Sequence, residues 1–215
     1  IADSGCDGTT AATGAQSLID AGVVGIAGAA CSGATLGAIE VAKAAGVPMV
    51  SYASTSPAIT NYDDDGYLFR VVPSDAQQGQ ALADTYEASG YEYPGIIAMT
   101  NDYGAGFHGA FKDNWDGDIC SESTYADGTT DFTSQVAAVA DNGCDSVVMI
   151  TYATDGAAIA EEIATQGLEV AIFGGDGIAD VSFGNAFTDI SAISGITATK
   201  PASGADSSLS MLFDA

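Results

Sequence analysis

Positive charge is what this sequence has least of. Lys43, Arg70, Lys112 and Lys200 stand against 29 acidic residues in a chain of 215, a formal charge of −25. With no basic surface to neutralise phosphate, nucleic acid and anionic membranes are excluded as partners. The acids fall in small clusters such as Asp63-Asp64-Asp65, which reads as a solvated acidic surface and not as a tail. Such acidity suits a saline medium, where self-repulsion is screened, and equally an acidic secreted protein. No run of 18 apolar residues occurs, so no direct membrane insertion is expected. No signal-peptide pattern opens the chain at "IADSGCDGTT", the appearance of an extracytoplasmic protein whose leader has been removed.

Histidine is represented by His108 alone, and cysteine by Cys6, Cys31, Cys120 and Cys144, whose spacing matches no zinc pattern. No metal and no cofactor are therefore expected. Hydrolase chemistry would lack a Gly-x-Ser-x-Gly elbow and any choice of base. The cysteines form two close pairs in the sequence, which suggests disulfides Cys6–Cys31 and Cys120–Cys144; four buried thiols in a reducing compartment are the alternative. Cys120 and Cys144 both fall near strand starts, with room for an intervening strand.

What is there is a strand–helix alternation, with 47% hydrophobic residues to build its core. Short β-branched or apolar runs predict strands at 23–27, 48–51 and 67–72. A second series follows at 95–100, 119–125, 146–151, 170–175 and 193–200. Helices are expected from Gly33 to Ala45, ended by Gly46-Val47-Pro48, and from 75 to Ser89, with Ser74 or Asp75 as N-cap. Further helices fill 105–115, 131–141, 155–166 and 179–188. Buried-looking strands alternating with helices mean a parallel sheet covered on both faces. The break near Phe69–Pro73 reads as a boundary. Two or three strands precede it, too few for a closed α/β domain, and four βα units follow it. The expected division is 1–70 as a partial first lobe, 71–197 as a complete second lobe, and 198–215 as a crossover back towards the first. The chain reads as a fragment of a longer one.

Gly104, Gly106 and Gly109 match the Gly-x-Gly-x-x-Gly of dinucleotide sites, which keeps a nucleotide-dependent α/β enzyme as an alternative. Against it, Asn101-Asp102-Tyr103 separates the strand from the first glycine, and Asp102 would repel a pyrophosphate. Two hydroxyl-rich loops fit a small polar ligand better. Ser32 opens a helix, where free backbone N–H groups and the helix dipole favour a carboxylate; a plain N-cap serine is the other reading. Ala53-Ser54-Thr55 closes the next strand, offering oxygens to an ammonium. Asp176, in "GGDG" at the end of strand 170–175, is placed to pair with the same ammonium, or is a turn residue. All lie beyond the carboxyl ends of strands, where open α/β sheets bind ligands.

The order "LIDAGVVGIAGAACSGAT … GVPMVSYASTSP … FRVVPSDAQQGQALA … NDYGAGF … YADGTTDFTSQV … IFGGDGIA … TKP" resembles the substrate-binding proteins of branched-chain amino acid ATP-binding cassette transporters, across essentially the whole chain. The resemblance implies an α/β fold of two doubly wound parallel-sheet lobes that close on an amino acid about a hinge, here at about 69–73 and 197–201. It implies a first-lobe disulfide, Cys6–Cys31, and first-lobe contacts at Ser32, Ala53 and Thr55. It places Tyr103 as a second-lobe aromatic contact, Tyr152 near another, and Asp176 where the family has a glutamate on the ammonium. Cys120–Cys144 lies outside that pattern. The function implied is a periplasmic or extracellular receptor, not an enzyme. It would deliver a small, leucine-, isoleucine- or valine-like amino acid to a membrane permease. An amide- or aromatic-acid-binding relative on the same fold is the alternative.

Overall fold

The computed structural model describes residues 1–189 and 195–202. Two parallel sheets form within them. The first is built from β1 (Ile26–Ala27), β2 (Met49–Ser51) and β3 (Leu68–Arg70), in that order. Helices α1 (Gly8–Asp20) and α2 (Ser32–Ala44) pack on one face of it, over Met49 and Leu68. The alternating partners Val50, Phe69 and Val71 are exposed. A short α3 (Pro57–Asn61) follows β2, with proline in its first turn and Ser56 as its cap.

The second sheet has the order β5-β4-β6-β7-β8, all parallel. Its strands are β4 (Pro94–Met99), β5 (Ser121–Tyr125), β6 (Ser146–Ile150), β7 (Ala171–Gly174) and β8 (Ile196–Ala198). Period-two alternation sorts the side chains. Ile96, Ala98, Val148 and Ile150 meet α4 (Asp75–Ser89) and α5 (Asp102–Asn114). Ile97, Met99, Val147 and Met149 meet α6 (Thr133–Asp141) and α7 (Ala153–Thr165). A 3-10 turn at Asp176–Ile178 and α8 (Val181–Ala186) complete the lobe. The sheet is thus covered on both faces, as the continuous apolar runs of β4 and β6 require.

Elements differ from expectation mainly at their ends. The strand expected at 23–27 shortens to Ile26–Ala27 because Val23 and Val24 leave the sheet; Val24 is exposed. The strand expected at 67–72 narrows to three residues, and the helix at 179–188 to Val181–Ala186. Residues 193–194 of the last predicted strand and 203–215 of the crossover lie outside the described residues. Two helices went unread. In α1 the threonines and Gly14 weaken propensity, and Asp7 compensates by accepting from the Thr10 backbone N–H (2.7 Å) and hydroxyl (2.7 Å). The other, α3, lies inside a stretch that reads as turn.

Both disulfides form, with Cα–Cα separations of 5.2 Å for Cys6–Cys31 and 5.7 Å for Cys120–Cys144. Cys120 precedes β5 and Cys144 precedes β6, the two neighbours of β4, so the expected intervening strand is β4. The bridge lies against Gly95 of β4. A Cβ there would sit 3.1 Å from Cys144 Sγ, 3.0 Å from Ser121 Oγ and 2.9 Å from a Val139 methyl. Gly95→Val should therefore leave Cys120 and Cys144 reactive towards a thiol reagent in the folded protein while Cys6–Cys31 stays oxidised. Complete oxidation in that variant would show that the bridge does not need the space.

Candidate functional site

The strand order reverses between β4 and β6, the position beyond which open α/β sheets bind ligands in a crevice. Tyr103 lies in the first turn of α5 after β4, and Tyr152 is the N-cap of α7, two residues past the end of β6. Their rings stack at 5.0 Å with an interplanar angle of 11°. Asp176 follows β7 and accepts a hydrogen bond from the Tyr103 hydroxyl at 3.0 Å. The same hydroxyl accepts from the Gly177 backbone N–H at 3.2 Å, so Tyr103 fixes both ends of that turn. Burial and the nearby Asp176 and Asp75 push the Tyr103 phenol well above its ordinary range, which keeps it a donor.

Facing it, the first lobe presents the ends of β1 and β2. Ser32 is the first residue of α2, and its Oγ accepts from the Ser56 backbone N–H at 3.1 Å. Cys31, at the N-cap, supplies no side-chain bond to the helix, and the Asp102 carboxylate lies against Gly33 in its first turn, 3.0 Å from where a Cβ there would sit. Ala53 sits in the loop beyond β2, its backbone N–H on Ser51 Oγ at 3.4 Å. Ser54 is turned inward. Its hydroxyl lies within bonding distance of the carbonyls of Ala29 and Ala30 and of Thr35 Oγ1, so it braces the loop from beneath. The Thr55 hydroxyl is buried and has no partner among the described residues. The lobes touch here: a Cβ on Gly106 of α5 would meet Pro57 at 2.8 Å.

The residue that sequence reading passed over is Asp75. It is fully buried at the start of α4, and neither carboxylate oxygen has a hydrogen-bond partner among the described residues. Its backbone N–H donates to the Thr55 carbonyl at 2.8 Å, which aims the side chain at the loop end. Burial, followed by the charge of Asp176, pushes its carboxyl up to about 7; the Thr55 hydroxyl and Arg70 oppose this in part. Burial raises Asp176 as well, opposed by the Tyr103 hydroxyl. Arg70 donates from Nη1 to the carbonyls of Thr55 (3.0 Å) and Ser56 (2.9 Å), and from Nη2 to Thr60. Gln78 donates to the Thr199 carbonyl at 3.0 Å, while its own Oε1 has no partner among the described residues. Thr55, Asp75 and Gln78 thus place buried acceptors at this end of the sheets, with half-buried Asp176 on the Tyr103 hydroxyl. No sequence signal singles out Asp75, because Ser74 and Asp75 read equally as the cap. Ser74 caps α4 by accepting from Ala76 N–H, so the adjacent aspartate is redundant as a cap.

The glycine alternative fails on geometry. Helix α5 begins at Asp102, so Gly104, Gly106 and Gly109 lie inside the helix and not in a strand-to-helix turn. A Cβ on Gly104 would lie 2.1 Å from the Met99 carbonyl. The first two glycines serve close packing on β4 and on Pro57, and no phosphate cradle forms.

The model of the periplasmic binding protein family matches residues 1–202. The chain belongs to that family. A solved periplasmic binding protein similar to it is LivJ, the branched-chain amino acid transporter substrate-binding protein of Streptococcus pneumoniae, in complex with isoleucine. The two are 27% identical with a TM-score of 0.79, over 88% of this chain and 55% of LivJ. A solute-binding protein of R. palustris in complex with 4-hydroxybenzoate is 20% identical with a TM-score of 0.74, over 80% of this chain and 49% of that one, a likeness of fold alone. Among curated proteins, metabotropic glutamate receptor 4 of Macaca fascicularis is 34% identical over 100 residues, 46% of this chain and 11% of the receptor. The chain spans about half the length of the solved relatives it matches. The resemblance to branched-chain amino acid binding proteins and the α/β fold expected from the sequence both hold. No helix among the described residues is long and apolar enough to cross a membrane.

Proposed function

We propose that the crevice binds a small α-amino acid with an uncharged side chain, in a periplasmic or extracellular receptor that passes it to an ATP-binding cassette permease. The observation that carries this is Asp75: a carboxylate buried without a donor, beside a second one, is a place for a cationic nitrogen. An ammonium has three N–H donors. Asp75, Asp176 and the Thr55 hydroxyl supply the acceptors, with the Tyr103 hydroxyl holding Asp176 in place. The uncapped start of α2, with Ser32, receives the carboxylate. Tyr103 and Tyr152 wall the side chain. An acidic side chain finds no counter-charge, because Arg70, the cation that faces Asp75, is directed at the carbonyls of Thr55 and Ser56. Closure follows from ligand contacts supplied by both lobes at once. The isoleucine bound by LivJ supports the same ligand class.

The test is a thermal-shift panel on the chain with leucine, isoleucine, valine, glutamate, 4-hydroxybenzoate and NAD. A ligand at a hundred times its Kd stabilises by about 2.7 kcal/mol. Stabilisation by the aliphatic amino acids, and none by glutamate, is the expected result. Asp176→Ala should weaken that binding by about 2–4 kcal/mol, since it removes a charge-assisted contact. Unchanged affinity would take Asp176 out of the site, and a response to 4-hydroxybenzoate alone would replace the ligand class.

A further inference from the structure

We propose that Asp75 and Asp176 hold one proton between them in the ligand-free crevice, and that an amino-acid ammonium binds by displacing it into solvent. The inference rests on the amino-acid reading above and adds how that site is governed. Its ground is geometric. Asp75 is fully buried in the first turn of α4 and neither of its oxygens has a hydrogen-bond partner among the described residues, while Asp176, just past β7, is held by the Tyr103 hydroxyl.

The groups that face the pair come from every neighbouring element. Arg70 on β3 contributes a positive charge, but its donors point at carbonyls and at Thr60, so it forms no ion pair with either acid. Tyr103 on α5 gives its one hydrogen to Asp176. Tyr152, at the end of β6, is itself pushed up by burial and by the charges of Asp176, Asp127, Asp75 and Asp102, so it stays neutral. Thr55 and Gln78 are uncharged. Asp75 lies in the first turn of α4, where the helix dipole favours its ionised form. One diffuse cation and one helix end do not offset two anions out of water, so the second ionisation is held back. The upward push on Asp75, to about 7, agrees with this.

An incoming R–NH3⁺ changes the balance. It brings three donors and a full positive charge to a pair whose one hydrogen-bond donor is Tyr103 and which has no ion-pair partner, so both carboxylates ionise. The proton of the –COOH group leaves for buffer, the ammonium keeps its own three, and charge is conserved. Below the pair's upper pKa, ligand affinity then rises about tenfold per pH unit; above it, affinity is level. Neutral amides and aromatic acids bring no cation and cannot drive the exchange.

Calorimetric titration of L-leucine into the full chain, in two buffers of different protonation heat, reads the released proton directly. At pH 6, close to one proton should leave per leucine bound; at pH 8.5, close to none should, with binding about tenfold tighter. Equal heats in both buffers and equal affinities at both pH values overturn the proposal. Independently of any ligand, carboxyl carbon NMR of the aspartate-labelled, ligand-free chain should show a carboxyl titrating near 7 that is absent from Asp75→Asn. If no aspartate titrates near neutrality, the shared proton does not exist. If one does and leucine is silent at every pH, the amino-acid reading falls and takes the exchange with it.

Discussion

Asp75→Asn is expected to make the ligand-free protein more stable at pH 8 and to abolish amino-acid binding. The folded chain holds the Asp75 carboxyl near 7 against an ordinary 3.8. Between those values the folded state keeps a proton that the unfolded state has lost, so stability falls as pH rises from about 4 to about 7 and stays low above. A shift of that size corresponds to a cost on the order of 4 kcal/mol once the group is fully ionised, and burial leaves little solvent to reduce it. Asparagine removes the charge at nearly the same volume but leaves a polar amide with few partners, which returns about 1–2 kcal/mol of the gain. The net increase of roughly 2 kcal/mol corresponds to about 4–8 °C in Tm for a chain of this length. It should vanish at pH 4, where wild-type Asp75 is neutral too. Melts of both proteins at pH 4 and pH 8, with and without leucine, decide the matter. A variant less stable than wild type at pH 8 would mean that Asp75 is ionised in an ion pair after all. One that still binds leucine would mean that the ammonium sits elsewhere.

That prediction starts from the residue hardest to see in the sequence. The fold was legible because the signals were redundant. The runs Gly95–Met99 and Val147–Ile150 are apolar throughout, as strands buried on both faces must be, and Gly46-Val47-Pro48 ends α2 by backbone chemistry alone. Ser32, Thr55 and Asp176 became candidates because each lies beyond the carboxyl end of a strand, and Tyr103 and Tyr152 became candidates through the family resemblance. The structure stacks Tyr103 on Tyr152 and bonds the Tyr103 hydroxyl to Asp176, while Ser32 bonds the Ser56 backbone. Ser54 also lies beyond a strand end, yet its hydroxyl turns beneath the loop to the Ala29 and Ala30 carbonyls, a direction that no spacing discloses. Asp75 stayed hidden because helix capping already accounted for an aspartate there. Only the hydrogen bond of Ser74 to Ala76 N–H, and the burial of both Asp75 oxygens, separate the cap from the site. Arg70 likewise read as one more strand residue, although its guanidinium fixes the carbonyls of the binding loop. What the sequence leaves open is therefore which way a polar side chain turns.

Reducing the two disulfides is expected to end ligand binding before it unfolds the second lobe. Each bridge spans about 25 residues, and closing such a loop is worth roughly 3–4 kcal/mol through the unfolded chain. The lobes meet that loss with different reserves. The second has Tyr86, Phe107, Phe111, Ile96, Ile97, Met149 and Ile150 fully buried in a sheet covered on both faces. The first packs mostly alanines, with Ile39 and Met49, on one face of three strands of two or three residues. Its apolar area is smaller, so the same energy is a larger share of its stability. Cys31 is also the N-cap of α2, one residue before Ser32, so breaking its bridge loosens the helix end proposed to hold the carboxylate. Trp115, the one tryptophan of the chain, lies in the second lobe with its ring edge-on to Tyr86 at 4.8 Å. Its emission therefore reports that lobe alone. In excess thiol, the stabilisation by leucine should disappear while Trp115 emission stays native until the chain is heated. The double variant Cys6→Ser/Cys31→Ser should reproduce this. Cys120→Ser/Cys144→Ser should instead lower the Trp115 melting transition and leave binding intact at low temperature. If either variant alone shifts emission and binding together, the two lobes unfold as one cooperative unit, and the bridge in the first lobe stabilises the core of the second through the crevice between them.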